Sequence, residues 1–100
     1  MRVIAGEFKG RRLEAPDWPG LRPTSDKLRE TLFNVLQGRL PQARFLDVFA
    51  GTGAVGIEAL SRGAAHVTFV EQDPRARGLI AENLARCGLL MTSMRGPRHR

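Results

Sequence analysis

The chain holds one cysteine in 100 residues, so no disulfide can form within it. Cys87 falls in an apolar helical pattern, where a small core residue is the expected role. No apolar run is long enough to span a bilayer, and no basic-then-apolar segment opens the chain as a secretory signal would. No metal and no membrane partner are expected, and the expected setting is cytoplasmic. One hundred residues allow one domain at most, near the lower end of the usual range. A hydrophobic content of 42% suffices for a globular core. Oligomeric state is not readable from the sequence.

Negative charge is scarce where the chain begins and where it ends. The net charge is +6; residues 1–44 carry nine Lys/Arg against five Asp/Glu, and residues 89–100 carry three arginines and no acid. Residues 45–88 are near neutral, with four against five. A basic N-terminal third beside a near-neutral middle points to a polyanion met by the N-terminus. A solvated basic face is the plain alternative.

Three segments follow from the patterning. In residues 1–42, Met1 to Ala5 and Arg11 to Ala15 flank Gly6-Glu-Phe-Lys-Gly10, which predicts a β-hairpin. Trp18 lies in a Pro/Gly loop and either covers the core or stacks on RNA. Thr24, Ser25 or Asp26 caps a helix whose apolar face is Leu28, Leu32, Val35 and Leu36, with Arg29 off that face. Residues 43–88 read as strand, helix, strand, helix. The strands are Arg44–Phe49 and His66–Glu71, and the helices run to Arg62 and from an Asp73 cap to Gly88. The last helix places Ala76, Ile80, Leu84 and Cys87 on one face. Glu58 and Arg62, four apart on the other helix, read as an ordinary ion pair. Such an alternation requires a parallel sheet. Residues 89–100 show neither period and are expected to be a truncated or frame-shifted end.

The densest signal is Asp47-Val-Phe-Ala-Gly51-Thr-Gly53-Ala-Val-Gly56. A strand, a glycine turn and a helix N-terminus form the place where an α/β sheet holds an extended cofactor. Gly51 and Gly53 let the backbone approach a ligand, whereas Gly56 suits helix–strand packing. Glu71, twenty positions past Gly51, ends the second strand and is placed for ribose hydroxyls, with Gln72 beside it for the adenine. A dinucleotide fits this spacing, and so does S-adenosylmethionine (SAM). Asp47 and its neighbour Phe49 stand where the ligand's other end would lie. A carboxylate there repels a pyrophosphate and attracts a sulfonium and an ammonium, which favours SAM.

Three blocks give the chain a family likeness. They are Arg2-Val-Ile-Ala-Gly6 with Lys9-Gly-Arg-Arg-Leu13, Arg22-Pro-Thr24 with Arg29-Glu-Thr-Leu-Phe-Asn34, and Leu46 to Gly53 continuing through Ile57 to Ala64. Together they resemble the RsmD-like methyltransferases, which transfer a methyl from SAM to a guanine exocyclic amine of 16S ribosomal RNA. The resemblance implies an α/β, Rossmann-like SAM-methyltransferase sheet, incomplete here, preceded by an N-terminal β-hairpin and helix. It implies SAM as cofactor, Arg22 and Thr24 near its mouth, and ribosomal RNA or the small subunit as partner. Arg2, Lys9, Arg11 and Arg12 are the candidates for the RNA backbone. Family members also carry an Asp/Asn-Pro-Pro-Phe/Tyr motif after the fourth strand, which holds the amine and stacks the base. Asp73-Pro74-Arg75 does not match it, so no catalytic residue is assigned.

Two other functions compete with that expectation. A basic RNA-binding module with a vestigial cofactor site would bind RNA without transferring a methyl group. A nucleotide-dependent oxidoreductase would take a dinucleotide in the glycine turn.

Overall fold

The computed structural model describes residues 1–21, 24–48, 50–89 and 94–95. The elements run α1 (Asp26–Leu36), β1 (Arg44–Val48), α2 (Ala54–Ser61), β2 (His66–Val70), α3 (Pro74–Arg86) and β3 (Met94–Arg95). The described strands form one parallel sheet in the order β1-β2-β3. In register, Asp47 lies beside Phe69, and Phe69 in turn beside Met94. The short β3 comes from the tail whose sequence shows no strand pattern. It adds to the edge of β2 opposite β1.

Local chemistry sets the helix ends. The Leu28 N–H donates to the Ser25 hydroxyl at 3.1 Å, and the Arg75 N–H donates to Asp73 Oδ1 at 2.9 Å. Each satisfies one of the unpaired amides of a first turn. Pro74 opens α3, where its missing N–H costs nothing. Gly63 and Gly88 follow α2 and α3 with φ of 111° and 72°. The core is Val3, Leu13, Phe33, Leu40, Ile57, Val67, Phe69, Ile80, Leu84 and Cys87, so hairpin, sheet and helices share one interior. The predicted face of α3 is buried, with Ala76, Ile80, Leu84 and Cys87 all inside. Burial pushes the Cys87 thiol up, away from the reactive thiolate.

The hairpin is docked by polar groups of α2. Arg2 and Arg12 form an antiparallel bridge, flanked by Val3 N–H to the Arg11 carbonyl and Leu13 N–H to the Met1 carbonyl at 2.9 and 2.8 Å. Glu58 accepts the Ile4 and Ala5 N–H groups, each at 3.0 Å. The Ser61 hydroxyl accepts the Phe8 N–H and donates to the Ala5 carbonyl. A Cβ on Gly6 would overlap the Ser61 backbone, so the two chain segments touch there only because Gly6 has no side chain.

Two expectations are corrected here. Glu58 and Arg62 do pair, at 2.8 Å, but Glu58 is fully buried, and the Arg29 guanidinium lies 3.7 Å away on its other side. This is a buried charge cluster rather than a surface pair. The amphipathic face of α1 also differs from the one the apolar spacing predicts. Arg29 and Phe33 are its buried residues, whereas Leu28, Leu32 and Val35 are 61%, 37% and 77% exposed. The cause lies in Glu58, because a buried carboxylate requires cations. Arg29 answers it, and one turn later Phe33 packs on the Phe45 ring and under Arg62.

Candidate functional site

The glycine turn lies at the carboxyl end of β1, where the Ala50 N–H donates to the Val70 carbonyl at 3.0 Å and draws it against the end of β2. Gly51 and Gly53 both take positive φ, 58° and 83°. A Cβ on Gly53 would meet Ile80 of α3 at 3.2 Å, so this glycine serves conformation and packing together. One on Gly56 would overlap the Phe69 ring, which confirms the packing role expected of it.

Asp47 is buried beneath the turn, and its Oδ2 accepts the Gly56 N–H at 3.1 Å. Burial pushes its carboxyl up to about 6; the Gly56 N–H opposes this and the nearby Glu71 charge adds to it. Glu71 bridges the two loops at the end of the sheet. Its Oε1 accepts the Gly51 N–H at 2.7 Å, and its Oε2 accepts the Asp73 N–H at 3.0 Å. Arg77 fixes the same loop by donating to the Glu71 and Gln72 carbonyls at 3.1 and 3.4 Å. Gln72 itself is exposed beside Glu71, and Thr24 is half-buried just ahead of α1. Arg22 and Phe49 lie outside the described residues.

This arrangement has a defined chemical preference. Two carboxylates converge on one turn, and the first glycine N–H is already taken by one of them. A pyrophosphate would meet repulsion and a missing donor. A cation would restore full ionisation of Asp47. Glu71 uses only two of about four acceptor positions, leaving capacity for hydroxyl groups. The residues present therefore fit SAM, whose amino-acid end is cationic and whose ribose offers hydroxyls.

Three of the four basic candidates line two clefts, with Arg2 in both. Arg2 and Arg12 line one of about 280 Å³ together with Met1, Leu13, Glu14 and Arg86. Arg11 reaches the end of α3, its Nη1 donating to the Arg86 carbonyl at 2.8 Å. Lys9 lies elsewhere, in a groove of about 570 Å³ that Arg2 shares, opposite Lys27 and Glu30 of α1. Trp18 is half-buried with the Arg75 guanidinium over its ring at 4.9 Å.

Several residues were not singled out by sequence reasoning. Arg86 joins the basic cleft from a helix that reads as ordinary. Asn83, fully buried, accepts the Glu14 N–H at 2.6 Å and donates to the Glu14 and Thr52 carbonyls at 3.1 and 2.9 Å. It ties the hairpin to the glycine turn. An Asn within the apolar stripe of α3 was the available signal, since a buried amide must find partners.

The profile of a family described as Conserved hypothetical protein 95 matches residues 1–97. The chain belongs to that family. Similar curated proteins include Ribosomal RNA small subunit methyltransferase D of Escherichia coli K12, 52% identical over 85 residues, or 85% of this chain and 43% of that protein. Its namesake in Haemophilus influenzae is 48% identical over 84 residues, covering 84% of this chain and 44% of the other. This member of the Conserved hypothetical protein 95 family thus spans about half the length of the curated relatives it matches. Among solved structures, a hypothetical protein from Thermus thermophilus is 41% identical with a TM-score of 0.80, over 99% of this chain and 55% of that one. A precorrin-6y C5,15-methyltransferase from Geobacter metallireducens shares the fold at 19% identity, with a TM-score of 0.69 over 99% and 50% of the two chains.

Proposed function

We propose that this chain is the cofactor-holding part of a SAM-dependent methyltransferase whose substrate is small-subunit ribosomal RNA, at a guanine exocyclic amine. The observation that carries the reading is the pair of carboxylates, Asp47 and Glu71, meeting at one glycine turn. The names of the curated relatives support the RNA substrate.

SAM, when bound, supplies a methyl group activated by its sulfonium. The chain's own residues hold and orient it. Asp47 attracts the ammonium, and Glu71 takes the ribose hydroxyls while keeping the turn closed. Gly51 and Gly53 admit the ligand to the backbone. Gln72 flanks the adenine, Phe49 joins Asp47 in the cofactor-binding set, and Arg22 and Thr24 belong to the mouth. Arg2, Lys9, Arg11 and Arg12 hold RNA phosphates. Transfer to an amine is mostly a matter of positioning two reactants, with acceptors relieving the amine of its proton. The acceptor motif that the family resemblance leads one to expect is absent from residues 1–100, so this chain by itself is expected to bind cofactor without transferring methyl.

Thermal unfolding with SAM or NAD present tests the reading. A ligand at about 100 times its Kd adds about 2.7 kcal/mol to stability. SAM should raise the Tm and NAD should not; protection by NAD alone would replace the proposal with a dinucleotide enzyme.

A further inference from the structure

The cleft between the hairpin and the end of α3 has a composition that structure alone does not require. Arg2 and Arg12 are bridge partners, so two like charges face each other across the strands, an arrangement that disfavours folding. Arg86 brings a third guanidinium from another element to the same cleft of about 280 Å³. Glu14 is the one carboxylate lining it. It pairs with Arg86 at 3.2 Å, and the two side chains are 49% and 42% exposed. The lining side chains therefore carry three positive charges against one negative.

We propose that this cleft seats one phosphate of an RNA backbone between Arg2, Arg12 and Arg86, with Glu14 as the internal competitor that the phosphate displaces. The proposal rests on the RNA-methyltransferase reading and extends its RNA surface from the hairpin to α3. Guanidinium forks suit a phosphate's oxygens, and three arginines lining one cleft would offer such an anion more than a single exposed pair does. The phosphate would sit next to Glu14, whose backbone N–H and carbonyl are both held by Asn83. The same amide holds the Thr52 carbonyl of the glycine turn, so the RNA phosphate and the cofactor loop share one rigid support.

The test is fluorescence anisotropy of the full chain with a short labelled single-stranded RNA and its scrambled counterpart, across a salt series. Arg86→Ala should weaken binding to both RNAs and reduce the slope of log K against log salt by roughly one unit. Arg86→Lys should keep the slope. Glu14→Gln should tighten binding, because it frees Arg86. If the ion pair were merely structural, Glu14→Gln and Arg86→Ala would act in the same direction, and that result would overturn the proposal, as would an unchanged slope. Inorganic phosphate at constant ionic strength should compete poorly; full displacement at low millimolar concentration would assign the cleft to a free anion instead. SAM calorimetry on the same samples separates the two ideas. Lost SAM binding with the RNA pattern intact removes the methyltransferase reading alone, and the reverse removes the cleft alone.

Discussion

Glu71 Oε1 accepts the Gly51 N–H at 2.7 Å, joining the acid that ends β2 to the first glycine after β1. The contact fixes which donors remain for a ligand. In a phosphate-binding turn the glycine amides face the anion; here one of them faces a carboxylate of the protein. Asp47, buried on the other side of the turn, adds a second negative group. Under the proposed function, these two carboxylates are what a ligand cationic at one end and hydroxylated at the other would meet.

Ionisation of Asp47 should be visible in stability. Its carboxyl is raised from 3.8 to about 6 in the folded chain, so the folded state holds a proton that the unfolded state releases. Stability is therefore expected to fall as pH rises from about 4 to about 6 and to level off above, by up to about 3 kcal/mol. Urea midpoints across that range check this. Asp47→Asn should flatten that segment of the profile, and a cationic ligand should bind more tightly as pH passes through about 6.

Glu58 is the residue whose loss should undock the hairpin. Glu58→Gln leaves Arg29 and Arg62 without their common carboxylate, and breaking a buried pair costs about 3–5 kcal/mol. That is a large share of the roughly 5–15 kcal/mol that holds a domain together. Hydrogen exchange at Ile4 and Ala5, whose amides Glu58 accepts, should quicken more than exchange in β1 or β2. Uniform loss of protection would show that the cluster supports the whole fold.

Gly56→Ala sets two effects against each other. Alanine favours a helix interior by about 1 kcal/mol. Its methyl, however, would overlap the Phe69 ring, and overpacking costs about 1–3 kcal/mol. A net loss of stability is expected, and a Phe69→Leu background should recover part of it. A stabilised single variant would mean that the ring moves aside freely.

The exposed stripe of α1 should make the chain associate. Leu28, Leu32 and Val35 of α1 are exposed together with Leu46 and Val48 of β1. Exposed apolar area of this kind favours contact between molecules. Light scattering should report association that rises with concentration, and Leu28→Lys with Val35→Lys should reduce it. Monodisperse wild type at high concentration would contradict the expectation.

The sheet and its turn were legible because they rest on local rules. The positive φ of Gly51 and Gly53, the Asp73 cap with Pro74 at the start of α3, and the buried Ala76–Cys87 stripe all follow the local pattern. The face of α1 was not legible, since apolar spacing favours Leu28 and Leu32. The actual burial follows Arg29, drawn in by Glu58 from another helix. Nothing local distinguishes a surface Glu58–Arg62 pair from a buried one. The same holds for Arg86 and Asn83, whose partners lie far off in sequence. Met94–Arg95 gave no pattern because two residues are too few to show a period.

If Asp47 holds the cationic end of SAM, as proposed, loss of its carboxylate must weaken the ligand. Isothermal calorimetry of SAM with the wild-type chain and with Asp47→Ala, at a pH well above the Asp47 titration, tests it most directly. Binding by the wild type and a loss of about 1.5–3 kcal/mol in the variant are expected, the scale of a hydrogen bond to a charged group. Equal affinities for the two proteins would contradict it.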